Sequence, residues 1–352
     1  MENNFFFMSY SPSNLTRSSA IDEMSSQIQE LSESTLAMVQ QIPPGPQRIR
    51  GIAGSGKTVL LCQKAAYMHL QHPEWDIALV FFTRSLYDLM EKQVNLWLQH
   101  FSNGERKYCR QNSQLKVFHA WGAKDKNGLY RTICKAHEIK PFPLDNNINV
   151  PPEKLGRVVR QLLEKLETMG NKPMFDAILI DQGNDLVVRD ELKYQDKQPI
   201  YWMAWQALRP VDEKNPNQRR LIWAYDEAQS LQALNIPTAK ELFGEEYTNL
   251  VQGFHRGRIP KSIVMKRCYR TPHSILTAAH AIGMGLLRPE GILSGYTRKK
   301  SWENIGYQVT GIFNNGQEIT LHRPSENSPN PIPEIWQEQV LQFNTFEPGK
   351  PN

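Results

Sequence analysis

The amino-acid sequence predicts an α/β fold in which a parallel β-sheet is covered by helices on both faces. Short, fully apolar runs alternate with segments of helical periodicity, and a glycine-rich turn joins the first run to the first long helix. A strand that is apolar throughout is typical of a sheet buried on both faces, and the intervening helices supply the cover. The predicted strands are 48–53, 77–82, 115–118, 177–180 and 221–224.

Helices are predicted between these strands because apolar residues recur there at the spacing of one helix face. One further helix is predicted ahead of the first strand, and it ends where Pro43 and Pro44 interrupt the pattern. The predicted helices are 21–41, 58–70, 84–100 and 153–169.

The order of these elements divides the chain into three expected parts. Residues 1–44 form a Ser- and Asn-rich arm followed by the first helix, and residues 45–250 form the main α/β domain. Within that domain, prolines and turn formers mark an expected insertion, partly helical, at about 122–174. Residues 251–352 begin a second, partial domain, with a predicted helix at 272–287 and two later alternating runs.

The composition favours a protein of the reducing cytoplasm. The 352 residues include 41 basic and 36 acidic side chains, a formal charge of +5 that permits a polyanionic partner. The four cysteines lie far apart without a C-x-x-C pair, which argues against a zinc ribbon or a disulfide framework. No apolar run approaches the roughly 20 residues of a membrane span, so no membrane partner is expected.

A phosphate-binding loop is predicted at the first glycine-rich turn, which matches the pattern G-x-x-x-x-G-K-[ST] between a strand and a helix. Glycines let main-chain amides point at a phosphate, and the helix N-terminus adds its positive dipole end. Lys57 would bridge phosphate oxygens, and the hydroxyl of Thr58 would hold Mg²⁺. The residues expected to contact ATP are Gly51, Ala53, Gly54, Ser55, Gly56, Lys57, Thr58 and Val59.

A second acidic element should complete the Mg²⁺ site, and such an element usually ends a buried strand. The run AILID places Asp181 at the end of a predicted strand, so Thr58 and Asp181 are the predicted metal ligands, with Asp181 acting through water. An ordinary strand end capped by aspartate is the alternative interpretation of this motif.

Six segments in order resemble motifs of superfamily 1 DNA helicases of the UvrD/Rep type, over about residues 45–280. The resemblance implies a RecA-like P-loop NTPase with a parallel sheet, followed by part of a second RecA-like domain, and single-stranded DNA as partner, with RNA not excluded. The matching segments are GIAGSGKT, LVFFTRSL, FHAWG, LIDQGND, IWAYDEAQSL and CYRTP.

The same resemblance implies roles for residues outside the phosphate loop. Gln229 would sense the γ-phosphate, and Arg270 would arrive from the second RecA-like domain to stabilise charge. The strand-end residues expected along single-stranded nucleic acid are Thr83, Arg84, His119 and Trp121.

The chain departs from these helicases where hydrolysis would occur. Gln182 stands where the helicases have a glutamate that deprotonates the attacking water, and an amide cannot accept that proton. Asn184 replaces a glutamine, and Gln232 occupies the place of an aromatic that stacks on a base. Nothing downstream resembles the later motifs of the second domain, including its second catalytic arginine.

Three functions remain open from the sequence. The first is a helicase-like ATP-binding protein with impaired hydrolysis, in which the catalytic set is Lys57, Asp181, Gln182, Gln229 and Arg270. The second is an active DNA-dependent ATPase whose missing motifs come from a partner chain. The third is a scaffold for protein interactions that binds no nucleotide.

Overall fold

The computed structural model describes residues 35–111, 114–122, 127–145, 147–227, 237–284, 298–312 and 319–328. At its centre lies a six-stranded sheet in the order β3-β2-β4-β5-β1-β6, and every neighbouring pair of strands is parallel. The α/β class and the parallel sheet expected from the apolar runs are thereby confirmed. The strands are β1 (Gln47–Gly51), β2 (Ile77–Phe81), β3 (Leu115–His119), β4 (Ala177–Ile180), β5 (Arg220–Asp226) and β6 (Ser262–Met265).

Helices connect these strands and cover the sheet. Residues 35–40 are helical and belong to the helix expected ahead of β1, here called α1; the rest of the arm, 1–34, lies outside the described residues. The later helices are α2 (Lys57–Gln71), α3 (Tyr87–Phe101), α4 (Leu129–Ala136), α5 (Pro151–Met169), α6 (Pro199–Gln206), α7 (Ala239–Phe243), α8 (His273–Gly283) and α9 (Lys299–Asn304).

Two hydrophobic cores lie on the two faces of the sheet, because successive strand residues point to opposite sides. Leu79 packs with α2 and α3 on one face, and Val80 packs with α5 and α6 on the other. Helix α5, which lies within the expected insertion, contributes a row of leucines and valines to the second core. The helical spacing of those residues predicts the helix. It does not indicate which part of the molecule the helix packs against.

The sixth strand, β6, lies beyond residue 250 and belongs to the main sheet. Residues 262–265 pair with β1 as the edge strand of the main sheet, so the sheet continues past the expected start of the second domain. The division at residue 250 stays a prediction. The alternating runs that follow form a two-stranded antiparallel sheet of β7 (Gln308–Gly311) and β8 (Ile319–His322).

A third, smaller core joins this last part of the chain to the main sheet. Ile52, which directly follows β1, packs against Cys268, Trp302 and Ile305. The described parts of this segment, 268–284 and 298–312, therefore pack against Ile52, the first residue of the turn between β1 and α2.

None of the helices within the described ranges combines the length and the apolar character that crossing a bilayer requires.

Candidate functional site

The carboxyl edge of the sheet brings the predicted site residues together. In a parallel sheet all strands end at the same edge, and β4, β5 and β1 are adjacent in space. Asp181 follows β4, Asp226 ends β5, and the glycine-rich turn follows β1 at Gly51. This edge therefore collects two carboxylates and the phosphate-type loop, although their segments lie far apart in the chain.

The turn between β1 and α2 has the conformation that its glycines allow. Gly54 and Gly56 have φ angles of 78° and 89°, in the left-handed region that residues with a β-carbon seldom adopt. Helix α2 begins at Lys57, so the amides of its first turn have no acceptor within the helix and point towards the turn. Such an array of amides at a helix N-terminus is suited to an anion.

Lys57 is held inside this turn. Its side chain is buried, and Nζ donates to the carbonyl oxygens of Gly51, at 3.0 Å, and Ile52, at 2.8 Å. The same ammonium forms an ion pair with the Asp226 carboxylate. Asp226 belongs to the segment IWAYDEAQSL, one of the six that resemble helicase motifs. The resemblance did not identify Asp226 as a site residue.

Thr58 and Asp181, the two predicted metal ligands, are in direct contact. The Thr58 hydroxyl donates to Oδ2 of Asp181 at 2.8 Å, and the Asp181 carboxylate is almost wholly buried. Burial raises the pKa of Asp181, although the Thr58 hydroxyl and the Lys57 charge both oppose that rise. A buried carboxylate of this kind is stabilised by a nearby cation.

Asn184 connects the segment after β4 to the end of β5. Its amide oxygen accepts from the main-chain N–H of Asp226 at 2.9 Å, and its amide nitrogen donates to the Asp226 carbonyl at 3.2 Å. The shorter side chain at this position therefore still clamps the neighbouring strand. The clamp places the Asp226 carboxylate next to Lys57.

Gln182, the residue that replaces the catalytic glutamate, is half-buried and has an unusual backbone conformation, with φ at 53°. Its side-chain oxygen Oε1 accepts a hydrogen bond from the Thr83 hydroxyl at 3.2 Å. The next residue is Gly183, where a β-carbon would overlap with the hydroxyl of Tyr201.

Arg270 lies beside the phosphate-type loop. The main-chain N–H of Tyr269 donates to the Gly54 carbonyl at 2.9 Å, and a β-carbon on Gly54 would come within 2.9 Å of the Arg270 Cβ. Arg270 follows β6, the edge strand that pairs with β1, and this pairing brings the chain after β6 to the loop. Its assignment to a second domain stays a prediction.

Cys268 supports the loop from the same segment. Its buried thiol contacts the Ala53 carbonyl at 3.4 Å and accepts from the Thr271 N–H at the same distance. Sequence reasoning did not single out this cysteine, because only the fold brings it to the loop.

The four residues expected along nucleic acid divide into two groups. Thr83 and Arg84 are exposed at the carboxyl end of β2, at the same edge as the loop. His119 is buried and stacks on Phe82, with ring centroids 5.5 Å apart. Its Nδ1 accepts from the N–H groups of Trp121, at 3.1 Å, and Gly122, at 3.3 Å.

The His119 ring is therefore engaged with the neighbouring main chain, whereas the side chains of Thr83 and Arg84 are exposed to solvent. Burial lowers the pKa of His119, so its imidazole is neutral at physiological pH and offers no charge to a phosphate. Trp121 is half-buried and packs against the core on the α5 face. Gln229 and Gln232 lie outside the described residues.

The residues at this turn fit a triphosphate with one divalent cation. The Ser55 hydroxyl is buried in the turn and, among the described residues, has no hydrogen-bond partner, which leaves it free to meet a ligand. No cluster of three His, Cys, Asp or Glu side chains suited to a metal occurs in the described ranges. Mg²⁺ in nucleotide sites takes most of its ligands from phosphates and waters, so two protein ligands such as Thr58 and Asp181 would match a site of that kind.

Comparison with protein-family models gives no match, and a search of curated proteins gives no significant match either.

Proposed function

We propose that the chain is a helicase-like ATP-binding protein that acts on or near single-stranded nucleic acid and hydrolyses ATP poorly. The proposal assigns the sheet to the RecA-like class and the turn after β1 to a P-loop. The observation that carries it is the convergence of Lys57, Thr58 and Asp181 on one glycine-rich turn, with Thr58 bonded to Asp181 at 2.8 Å.

In this proposal each residue of the turn has a definite task. Lys57 would exchange its ion pair with Asp226 for a contact with phosphate, and the amides at the start of α2 would donate to the same anion. Thr58 and Asp181, which are already in contact, would hold Mg²⁺, and the cation would supply charge neutralisation. Arg270, next to Gly54, would add a second cation to the site.

Weak hydrolysis follows from the residue after Asp181. The amide of Gln182 cannot take a proton from water, and this loss removes a general-base contribution of about 10²–10⁴ in rate. Binding does not need that base. A carboxylate at this position would repel the terminal phosphate. The neutral amide avoids that repulsion and can donate hydrogen bonds.

The test is nucleotide binding by the full chain with and without Mg²⁺, measured with a fluorescent ATP analogue. Lys57→Ala should abolish Mg²⁺-dependent binding, because the turn loses its only charged contact to phosphate oxygens among the described loop residues 51–59. Lys92→Ala, which removes an exposed lysine of α3, is the matched control and should bind as the wild type does.

Equal binding by Lys57→Ala and the wild type would reject the phosphate-loop assignment. Failure of saturating ATP to raise the melting temperature of the wild type would instead favour the scaffold function.

A second candidate, an active DNA-dependent ATPase completed by a partner chain, is favoured by the carboxylates beside the site. Asp226 contacts Lys57, and burial together with the Asp226 charge raises the pKa of Asp185. In this candidate Asp185 would accept the proton that the Gln182 amide cannot take. Steady ATP turnover by the purified chain that disappears in Lys57→Ala would select this candidate.

A further inference from the structure

A short hairpin at 253–261, here called the basic hairpin, leads into β6 at the amino edge of the main sheet. Phe254 and Pro260 pair in an antiparallel bridge, and the chain reverses between them at Gly257, whose φ angle of 79° suits a tight turn. Because β6 runs parallel to β1, this edge is opposite the one that carries the phosphate-type turn. The basic hairpin is therefore a surface that the nucleotide site does not use.

The base of the basic hairpin is fixed to the start of β1. His255 is buried, and its Nε2 lies 2.8 Å from the carbonyl oxygen of Pro46. The imidazole packs against Gly45, where a β-carbon would come within 2.8 Å of the ring. On the returning strand, the buried amide of Gln47 donates to the Pro260 carbonyl at 2.8 Å. These contacts hold both strands of the hairpin, so its exposed side chains project from a preformed support.

The outward face of the basic hairpin combines an aromatic ring with two guanidinium groups. Phe254, Arg256 and Arg258 are exposed, and 68% of the Phe254 surface is accessible. The buried His255 separates Phe254 from Arg256, so these two project from the same side, as in any extended chain. Within the described ranges neither guanidinium forms an ion pair, and residues 247–289 of the sequence include no aspartate or glutamate.

Single-stranded nucleic acid is the polyanion that matches both features of this face. Its phosphates pair with guanidinium groups, and its unpaired bases stack on an aromatic ring. The bases of a duplex are already stacked on one another, and an anionic lipid surface offers charge without flat rings. The exposed phenyl ring beside the two cations therefore favours the single strand.

We propose that the basic hairpin is a binding site for single-stranded nucleic acid, in which Arg256 and Arg258 contact phosphates and Phe254 stacks on a base. Thr83 and Arg84 lie at the carboxyl end of β2, so the hairpin is a separate contact from the one that the sequence predicts. The proposal rests on the nucleic-acid part of the proposed function. It does not depend on nucleotide binding.

The two kinds of contact have different signatures. Each phosphate contact with a single strand adds about 0.7 to the slope with which log affinity falls as log salt concentration rises. Loss of both arginines should therefore make that slope shallower by about 1.4 and weaken binding about tenfold at physiological salt. Loss of one base stack should weaken binding about fivefold or more and leave the slope unchanged.

The experiment measures binding of a fluorescein-labelled oligodeoxythymidine to the full chain, by anisotropy, over a range of salt concentrations and without nucleotide. The double variant Arg256→Gln with Arg258→Gln should lose affinity and salt dependence together, and Phe254→Ala should lose affinity alone. Phe254→Trp keeps an aromatic ring and should bind as the wild type does. Lys135→Gln with Lys140→Gln, which removes the same charge from exposed positions elsewhere, is the matched control and should also bind normally.

Wild-type affinity and salt slope in the double arginine variant, or wild-type affinity in Phe254→Ala, would overturn the site. A duplex that competes as well as an unlabelled single strand of the same length would refute the stacking contact and the proposal with it. Binding to vesicles of phosphatidylserine and phosphatidylcholine that these substitutions abolish, with oligonucleotide binding unchanged, would instead assign the hairpin to a membrane surface.

Lys57→Ala separates failure of the hairpin from failure of the proposed function. If this variant loses ATP and the hairpin variants bind the oligonucleotide normally, the proposed function stands and only the hairpin assignment is wrong. If the wild type binds no oligonucleotide, the hairpin and the nucleic-acid part of the proposed function are both rejected, while loss of ATP binding in Lys57→Ala still supports the nucleotide site.

Discussion

At the scale of single residues, Gln182 is the position on which the proposed weak hydrolysis depends. It follows the buried Asp181, and its amide oxygen is occupied by the Thr83 hydroxyl. The backbone at this position is left-handed, with φ at 53°. A carboxylate placed there by mutation would occupy the same location and would add the missing base.

We expect Gln182→Glu to raise ATP hydrolysis in the presence of single-stranded DNA by about 10²-fold, the lower end of a general-base contribution. Phosphate release by the purified variant, with and without DNA, measures the effect. Gln182→Ala is the control, since it removes the amide and supplies no base. Equal rates in the Glu and Ala variants would mean that the absence of a base at this position does not limit turnover.

At the scale of secondary structure, Lys64 connects two helices that flank the phosphate-type turn. It lies on α2, is completely buried, and donates to the carbonyls of Met38, at 2.7 Å, and Gln41, at 2.9 Å. These carbonyls are at the end of α1, where helical carbonyls lack partners within the helix. Burial lowers the pKa of Lys64 to about 7, and its neutral amine can still donate both bonds.

This buried lysine should make stability depend on pH. In the unfolded chain Lys64 keeps a proton up to about pH 10.5, while the folded protein releases it near pH 7. The unfolded state therefore binds more protons between these values, and stability rises with pH, by up to about 1.4 kcal/mol per unit. Stability is therefore lost progressively as the pH falls from about 10.5 to about 7, and below about 7 both states hold the proton and the dependence ends.

Urea unfolding of the wild type and Lys64→Met at several pH values between 7 and 10 tests this dependence. The difference in unfolding free energy between the two proteins should change with pH in favour of the wild type. Lys92→Met, on the exposed face of α3, should run parallel to the wild type. A pH-independent difference for Lys64→Met would show that the lysine is charged in the folded state.

At the scale of the whole molecule, the phosphate-type turn lies between the main sheet and the small core that contains Trp302. Ile52 of the turn is buried in the small core that includes Trp302 and Tyr307. Arg323, itself buried, donates to the carbonyls of Lys266 and Ile305 and ties the segment after β6 to this core. The position of the turn therefore depends on residues far from it in the sequence.

Trp302→Ala should loosen this core and weaken ATP binding, because removing a buried tryptophan costs about 3–5 kcal/mol. Hydrogen exchange should accelerate in 268–284 and 298–312 and at the turn, while α5 and α6 stay protected. Trp202→Ala, a half-buried tryptophan of α6 on the other face of the sheet, is the matched control. Unchanged exchange at the turn in Trp302→Ala would show that the small core does not support it.

Local patterns in the sequence were sufficient for the class of fold and for the phosphate-type turn. The apolar runs around Leu79 and Leu179 form the predicted strands, because residues buried on both faces must be apolar along their whole length. The turn could be predicted because its backbone needs positive φ angles, which Gly54 and Gly56 supply. This requirement depends only on adjacent residues. Both features are set by neighbours in the chain.

The tertiary structure alone decided which distant residues meet. It placed Asp226 against Lys57, buried His119, and made 262–265 the partner of β1, so that Arg270 reaches the loop. None of these contacts has a local signature, because each depends on strand order and on the register between segments far apart in sequence. The sequence by itself determined the class of fold and the kind of turn; packing determined which charges and hydroxyls surround it.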